Sequence, residues 1–253
     1  MAAFVNGVTN YLEWRDHSRD SAKYLSRVSL INAGIRSMID ELRLVQAVNV
    51  SAMSGKLEGY YSVSTSVLMN PICQKRAQEP GSICAKCYAA TTASRYAGLT
   101  QCLETNYRIL NEYLISESAW ATLSWPTTNG DARVESFGDV ASITCARNYL
   151  RIIKTHPHLN FGVWTKNVNI WMHAFELEGK PNNMTFVVSS PEINRPVDIP
   201  EEWMKFCDHR FTVYTKEYAE ANNIKINCGG KKCATCRLCY RKDTEFNIRE
   251  LLK

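Results

Sequence analysis

The sequence predicts an α/β fold, a partial (βα)6 TIM-like barrel with an N-terminal helical extension and a C-terminal cysteine-rich lobe. From about residue 54 onward, short runs rich in β-forming residues alternate with helical segments, which is typical of parallel βα units. Several of these runs are almost continuously apolar, as expected where helices cover a face of a parallel sheet. The six predicted units are fewer than the eight of a closed barrel, so we expect an open one.

The chain divides into two predicted regions. Residues 1–53 are expected to form the helical extension, because apolar residues recur there at helical spacing and proline is absent. Residues 54–253 are expected to form the partial barrel and carry the metal sites. The predicted strands are 56–66, 133–137, 160–166, 183–190, 210–216 and 224–227, and the predicted helical segments are 89–118, 139–154, 168–177, 201–207 and 217–222.

The composition is ordinary for a globular protein, with 45% hydrophobic residues, 22% charged residues and a net charge of +5. The start of the chain lacks the basic segment of a signal peptide, and no apolar run approaches the roughly 18 residues that span a bilayer. We therefore expect a cytoplasmic protein with no membrane contact. Basic residues gather only near the C-terminal cysteines, where they suit nucleic acid or offset the charge of thiolates.

Seven of the ten cysteines fall into two groups. The first cysteine group, spaced C-x10-C-x2-C, is Cys73, Cys84 and Cys87. The second cysteine group, spaced C-x4-C-x2-C-x2-C, is Cys228, Cys233, Cys236 and Cys239. In a reducing compartment such groups favour metal binding over disulfides, because C-x-x-C turns aim two sulfurs at one point. The cysteines outside the groups are expected to be small buried residues: Cys102, Cys145 and Cys207.

The two cysteine groups are predicted to meet in the fold. The first group follows the first predicted strand, and the second group follows the sixth, residues 224–227. Loops that follow parallel strands rise from the same face of a sheet. We therefore expect both groups to lie on one rim of the barrel.

The second group supplies the four thiolates that a complete [4Fe–4S] cluster takes. The first group supplies only three, which would leave one iron open for a substrate or a small molecule. Zinc is the alternative, because two C-x-x-C pairs can also form an all-thiolate tetrahedral site. His209 could join such a site, although a lone histidine on a turn is more typical of the surface. One cluster that draws on both groups also stays open.

Charged residues at predicted strand ends are candidates for catalysis or substrate binding. Glu135 and Asp139 flank a short turn after the second predicted strand, where a carboxylate can act as acid or base. For Asp139 we favour a helix cap. Lys166 and Lys216 each follow a threonine at a strand end, and the pair could hold an anion. Equally, each threonine could cap a helix and leave its lysine solvated.

Small polar residues complete the candidate site. Ser189 and Ser190 end the fourth predicted strand and offer hydroxyls to a cofactor. Gly229 and Gly230 lie inside the second cysteine group, where glycine lets the backbone approach a cluster or ligand closely.

These motifs resemble those of a phage family known as gene product 88. The likeness covers roughly residues 54–242 and is carried by the stretches 68–73, 82–88, 164–166, 181–184, 189–190 and 228–240. The resemblance implies a phage or prophage origin, and hence the host cytoplasm. It implies little about the activity.

A looser resemblance is to radical S-adenosylmethionine enzymes. Those are (βα)6 partial barrels with a three-cysteine [4Fe–4S] site after the first strand, and many carry further clusters near the C-terminus. The order of parts agrees, although the C-x10-C-x2-C spacing replaces their C-x3-C-x2-C and no Gly-Gly-Glu run follows the second predicted strand. The resemblance implies S-adenosylmethionine as a cosubstrate.

Two functions are compatible with these observations. The first is a [4Fe–4S] protein that performs redox or radical chemistry on an unknown substrate. The alternative is a non-catalytic protein, stabilised by zinc or a cluster, whose basic cysteine-rich lobe contacts a host protein or nucleic acid.

Overall fold

The computed structural model describes residues 22–127 and 130–252. The chain divides into a unit of residues 1–41 and a unit of residues 42–253. Helix α1 (Ala22–Ala47) begins in the first unit and ends in the second. The helical prediction for residues 1–21 lies outside the described residues. The sheet and both cysteine groups lie in the second unit.

The second unit is a mixed α/β fold around one seven-stranded sheet, which confirms the predicted α/β class. The strands lie in chain order, and only β1 is antiparallel to its neighbour. In the described residues β1 and β7 do not pair, so the sheet is open. The strands are β1 (Ser51–Ala52), β2 (Tyr61–Val63), β3 (Asp131–Val134), β4 (Asn160–Thr165), β5 (Met184–Ser189), β6 (His209–Tyr214) and β7 (Asn247–Leu251).

Helices and short 3-10 turns connect the strands. The helices are α2 (Pro71–Ala77), α3 (Tyr88–Ala93), α4 (Ala97–Glu112), α5 (Glu117–Trp120), α6 (Ile143–Thr155), α7 (Val168–Glu178), α8 (Glu201–Met204), α9 (Lys216–Ala221) and α10 (Cys233–Cys236). The 3-10 turns are Gly55–Leu57, Ile83–Lys86 and Leu238–Tyr240. In the part of the chain that the structure describes, no helix has the length and apolar character needed to cross a membrane.

The helix starts follow from side chains that satisfy free backbone N–H groups. At α2, the Asn70 side chain accepts from the amides of Ile72 (3.0 Å) and Cys73 (3.3 Å), and proline occupies the first helical position. At α6, the Ser142 hydroxyl accepts from the Cys145 amide at 3.1 Å. Both caps are local, so each helix begins where the sequence places its cap.

Side chains alternate along the strands and give the sheet two different faces. The helix face carries buried apolar residues that pack in one core with α6 and α7: Ala132, Val134, Phe161, Val163, Met184, Phe186 and Val188. The opposite face, which we call the polar face, carries Asp131, Arg133, Asn160, Gly162, Trp164 and Thr185. The polar face is covered by the cysteine-rich segment, residues 228–240, whose Tyr240 ring packs against Trp164 at 5.6 Å.

The predicted sixth strand, residues 224–227, is wrong. These residues form no strand, and the sixth parallel strand is β7, which follows the second cysteine group. Asn227 and Cys228 instead donate their N–H groups to the Arg249 carbonyl at 3.2 and 3.0 Å, so this segment lies along the outer edge of β7. β7 pairs with β6 over five residue positions, more than the 224–227 run could provide. The second cysteine group therefore precedes the sixth parallel strand.

The other predicted elements are recovered with shifted ends. The long strand predicted at 56–66 contains a 3-10 turn and the three-residue β2. The helix predicted at 89–118 is split into α3, α4 and α5. From β3 to α9 the predicted alternation of strand and helix is confirmed.

Candidate metal centre

The first cysteine group is assembled by short local elements. Cys73 lies in the first turn of α2, and Cys84 and Cys87 lie in and directly after the 3-10 turn Ile83–Lys86. All three thiols are half-buried. Burial raises the pKa of Cys73 far above its ordinary value, and the carboxyl groups of Asp139 and Glu135 and the thiols of Cys84 and Cys87 raise it further. The structure therefore brings the three cysteines together beside two carboxyl groups.

The loop that carries Cys84 and Cys87 is fixed to the carboxyl ends of two strands. Its Ile83 amide donates to the Pro191 carbonyl at 2.9 Å, just after β5. The Tyr88 hydroxyl donates to the Ser136 carbonyl, just after β3. Within the loop, the Ser82 hydroxyl accepts from the Cys84 amide at 3.1 Å. The first cysteine group thus sits at the carboxyl edge of the sheet, where parallel sheets bind ligands.

Glu135 is a buried carboxyl group that protein donors hold at the end of β3. It accepts hydrogen bonds from the Thr65 amide (3.0 Å), the Thr65 hydroxyl (2.6 Å) and the Tyr149 hydroxyl (2.8 Å). Burial raises its pKa to about 7, although the hydrogen bonds oppose the rise. Its backbone has a positive φ of 57°, a conformation that costs energy in a residue with a side chain. A carboxyl group poised near neutral pH can donate or accept a proton.

Asp139 does not cap the following helix, contrary to our expectation. Helix α6 begins four residues later, at Ile143, after its own cap Ser142. The Asp139 carboxyl group instead accepts from the Thr165 hydroxyl (2.6 Å) and the Lys166 amide (2.7 Å) at the end of β4. It therefore ties the loop after β3 to the end of β4. Burial raises its pKa, and these two hydrogen bonds oppose the rise.

Lys166 lies half-buried at this carboxyl edge. Its carbonyl accepts from the Arg76 guanidinium at 2.9 Å, and its charge favours the ionised form of Asp139. Thr165 does not cap α7, because its hydroxyl donates to Asp139 and accepts from the Asn167 amide at 2.8 Å. Of the two predicted lysines, Lys166 therefore lies beside the carboxyl groups of the first cysteine group.

Lys216 has a different environment. It is 72% exposed in the first turn of α9, and its nearest carboxylate is Glu220 at 3.8 Å. The preceding Thr215 caps α9 by accepting from the Tyr218 amide at 3.2 Å. In the described part of the chain, nothing joins Lys216 to the other candidate residues. The alternative of a capping threonine and a solvated lysine therefore describes this position.

The two serines after β5 are buried. Ser189 is the last residue of β5 and pairs with Phe211 of β6. The Ser190 hydroxyl lies within hydrogen-bond distance of the carbonyls of Glu192 (3.1 Å) and Arg195 (2.6 Å) and accepts from the Glu192 amide at 3.1 Å. Ser190 thus organises the turn that also anchors the first cysteine group.

The second cysteine group forms around one turn of helix. Cys233 and Cys236 are the first and last residues of α10, so their side chains lie on the same side. Arg237 ends this turn in the left-handed conformation (φ 51°), and Cys239 lies in the following 3-10 turn. Cys228 reaches the group from the edge of β7, where it bridges to Glu250.

The thiols of the second group lie close enough to influence one another. Burial raises the pKa of Cys228 to about 11, and nearby Glu250 and the thiols of Cys233 and Cys236 contribute. Burial also raises the pKa of Cys233 and Cys239. A metal that bound these thiols would displace their protons.

Tyr240 anchors the cysteine-rich segment on the polar face. Its ring packs against Tyr60 at 4.8 Å and Trp164 at 5.6 Å, and its carbonyl accepts from the Asn160 side chain at 2.8 Å. The ring lies so close to β4 that a Cβ atom on Gly162 would meet it at 2.7 Å. Glycine at 162 therefore permits this close approach.

Gly229 and Gly230, inside the second cysteine group, have open space beside them. Gly230 adopts a positive φ of 73°, and the space beside Gly229 and Gly230 is free of protein atoms within 4 Å. A close approach to a cluster there stays a prediction.

His209 is buried at the start of β6 rather than on the surface. Its two ring nitrogens lie 2.9 Å and 3.1 Å from the carbonyls of Arg241 and Glu245, so neither is turned toward the cysteines.

The cysteines are all free thiols. Cys145 is fully buried in the core, as expected, whereas Cys102 and Cys207 are half-buried. Among the described residues, no three Cys, His, Asp or Glu side chains converge closely enough to hold a single metal ion. That the two cysteine groups hold a metal therefore stays a prediction.

The prediction that both groups share one rim loses its basis, because the second group does not follow a strand. The thiols that raise the pKa of Cys73 are Cys84 and Cys87, and those that raise the pKa of Cys239 belong to the second group. The first group lies at the carboxyl edge and the second on the polar face, and whether they meet stays a prediction.

Two residues, one beside each cysteine group, were not foreseen from the sequence. Arg133 lies over the Trp164 ring at 3.8 Å, and its charge acts on the thiols of Cys233 and Cys239. The only sequence signal for it is a basic residue inside a predicted buried strand. Tyr149, which donates to Glu135, has no such signal, since its role depends on how α6 packs on the sheet.

Comparison with known proteins places these groups in a family. No curated protein and no solved structure matches the chain. Residues 41–244 match the family described as Gene product 88, and this range contains both cysteine groups, Glu135 and Lys166. Because the match covers well over half of the sequence, the chain belongs to the Gene product 88 family.

Proposed function

We propose that this protein binds iron–sulfur clusters and uses one of them in a redox or radical reaction. One [4Fe–4S] cluster would be held by the second cysteine group and another, with an open iron, by the first. The observation that carries the proposal is that seven free cysteines form a set of four and a set of three, and that the thiols within each set act on one another.

The second group fits a cluster in number and in chemistry. Its four thiols match the number of irons in a [4Fe–4S] core, and each thiolate binds a different iron. A polynuclear cluster therefore does not need all its ligands to converge on one point, as a single zinc ion does. The buried Arg133 Nε and Tyr240 hydroxyl, which have no partner among the described residues, are suited to face an anionic centre.

The first group fits the catalytic role. It lies at the carboxyl edge of the sheet, beside Glu135, Asp139 and Lys166. Three cysteine ligands leave one position for a substrate or cosubstrate, for which S-adenosylmethionine is the candidate. Glu135, with a pKa of about 7, would exchange a proton with the bound molecule, and Lys166 would hold an anionic part of it.

The proposed architecture for this chemistry is a partial (βα)6 barrel. Six parallel strands that neighbour one another in chain order support it. The polar face would be the inner wall of the barrel, closed from one side by the cysteine-rich segment.

Cysteine variants test the proposal. In protein purified without oxygen, Cys236→Ser should remove the iron of the second group, and Cys84→Ser should remove that of the first. Each should therefore lose about four iron atoms of the total. Cys102→Ser and Cys207→Ser are matched controls, because both residues are half-buried thiols outside the groups, and their iron should be unchanged.

Two outcomes would refute the proposal. One is equal iron in the Cys236→Ser, Cys84→Ser and Cys102→Ser proteins. The other is stoichiometric zinc without iron, which would favour a structural metal and a non-catalytic protein that contacts a host protein or nucleic acid.

A further inference from the structure

Arg133 differs from three other basic residues around the second cysteine group. Those three are paired: Lys56 with Glu250 at 2.6 Å, Lys232 with Glu58 at 2.7 Å, and Arg237 with Asp131 at 2.8 Å. For Arg133, the described part of the chain offers no carboxylate within ion-pair distance. The positive charge on the polar face is therefore not neutralised by the protein carboxylates shown.

The Arg133 side chain is held in place by packing. Its guanidinium lies over the Trp164 ring at 3.8 Å, and the Tyr240 hydroxyl lies beside it. Arg133 Nε and Tyr240 Oη are both buried; the contact between the two side chains lacks hydrogen-bond geometry, and neither atom has another partner among the described residues. Two buried polar groups without partners are costly, so they indicate that something else satisfies them.

The thiols of Cys233 and Cys239, in the second cysteine group, lie close to the Arg133 and Tyr240 side chains. The guanidinium is close enough to Cys233 and Cys239 to favour their ionised forms. Tyr240 directly follows Cys239 in the chain. A centre bound by four thiolates is anionic, and it would supply both the missing negative charge and the missing acceptors.

We propose that Arg133 and Tyr240 bind the anionic metal–sulfur centre of the second cysteine group through charge and donated hydrogen bonds. This inference rests on the proposed function. The one-electron reduced state of such a centre carries one more negative charge than the oxidised state. Arg133 therefore stabilises the reduced state and raises the reduction potential, while Tyr240 contributes through its hydrogen bond alone.

A redox titration of the full-length protein tests this assignment, with the two clusters followed as separate electron paramagnetic resonance signals. Arg133→Met should lower the midpoint potential of the second-group signal by at least 59 mV, a tenfold change for one electron. Tyr240→Phe should lower it by less. The matched control is Arg210→Met, because Arg210 is another strand arginine but its Nε already bonds Asn247 at 2.9 Å. The control should leave the potential unchanged.

Arg133→Lys keeps the positive charge, so it distinguishes a need for that charge in cluster binding from a general loss of folding. If Arg133→Met loses iron and Arg133→Lys retains it, the need for a positive charge is supported. Normal iron with an unchanged potential in Arg133→Met would overturn this inference and leave the proposed function standing. Iron lost from both Arg133 variants, with an unchanged potential in Tyr240→Phe, would also overturn it. Wild-type protein without iron would overturn both.

Discussion

At the scale of single residues, Glu135 shows how burial and hydrogen bonding compete. Three hydrogen bonds from Thr65 and Tyr149 favour its ionised form, but the loss of water around it outweighs them, and its pKa rises from 4.5 to about 7. The unfolded chain releases the same proton near the ordinary value. Between these two pH values the folded protein holds more protons than the unfolded chain.

This difference predicts a pH dependence of stability. As the pH rises from about 4.5 through about 7, the free energy of unfolding should fall by on the order of 3 kcal/mol from Glu135 alone, and the fall should end above pH 7. Glu135→Gln removes the titrating group, so its stability relative to wild type should rise across this window. Urea unfolding of both proteins at several pH values measures it.

Glu79→Gln is the control for this series, because Glu79 is exposed on the loop after α2. The free energy of unfolding of Glu79→Gln should vary with pH in the same way as that of wild type. The assignment of Glu135 would be contradicted if Glu135→Gln and wild type lost stability in parallel between pH 5 and 7.

At the scale of elements, the contact between the cysteine-rich segment and β4 depends on Gly162. A Cβ atom there would lie 2.6 Å from the Trp164 ring and 2.7 Å from the Tyr240 ring. Both rings are large and packed together, so neither can yield without moving the segment. The position of the second cysteine group is thus linked to the absence of one side chain on a strand.

Gly162→Ala should therefore lower the free energy of unfolding by about 1–3 kcal/mol and reduce the metal retained by the second group. Gly98→Ala is the matched control: Gly98 lies in α4 with no atom within 4 Å of the added methyl group. That change should be neutral or stabilise the protein by up to about 1 kcal/mol. Urea unfolding and metal analysis compare the two. Equal stability in both variants would contradict the packing described here.

The sequence predicts some of these elements and not others, for physical reasons. The cysteine spacing identifies both groups, because C-x-x-C places two thiols one turn apart wherever it occurs. The alternation from β3 to α9 is predictable because each run carries its own periodicity. β7 is missed because its polar residues obscure the alternating pattern of a strand. The strand forms through its pairing with β6. Arg133 is missed because its position beside Tyr240 depends on register across the sheet.

At the scale of the whole molecule, one open sheet carries the two cysteine groups in different surroundings. The carboxyl edge gathers the first cysteine group with Glu135, Asp139 and Lys166. The polar face holds the second group against Arg133, Trp164 and Tyr240. In the function that we propose, one centre performs chemistry and the other stores or passes electrons. It depends on both groups holding iron and sulfide.

The most direct test counts metals in the wild-type chain. The full-length protein should be purified without oxygen, and iron, acid-labile sulfide and zinc should be measured per chain. We predict a brown protein with iron and sulfide in equal amounts, about four of each for every filled cysteine group, and little zinc. A colourless protein that contains zinc or no metal, with its cysteines reduced, would contradict the account.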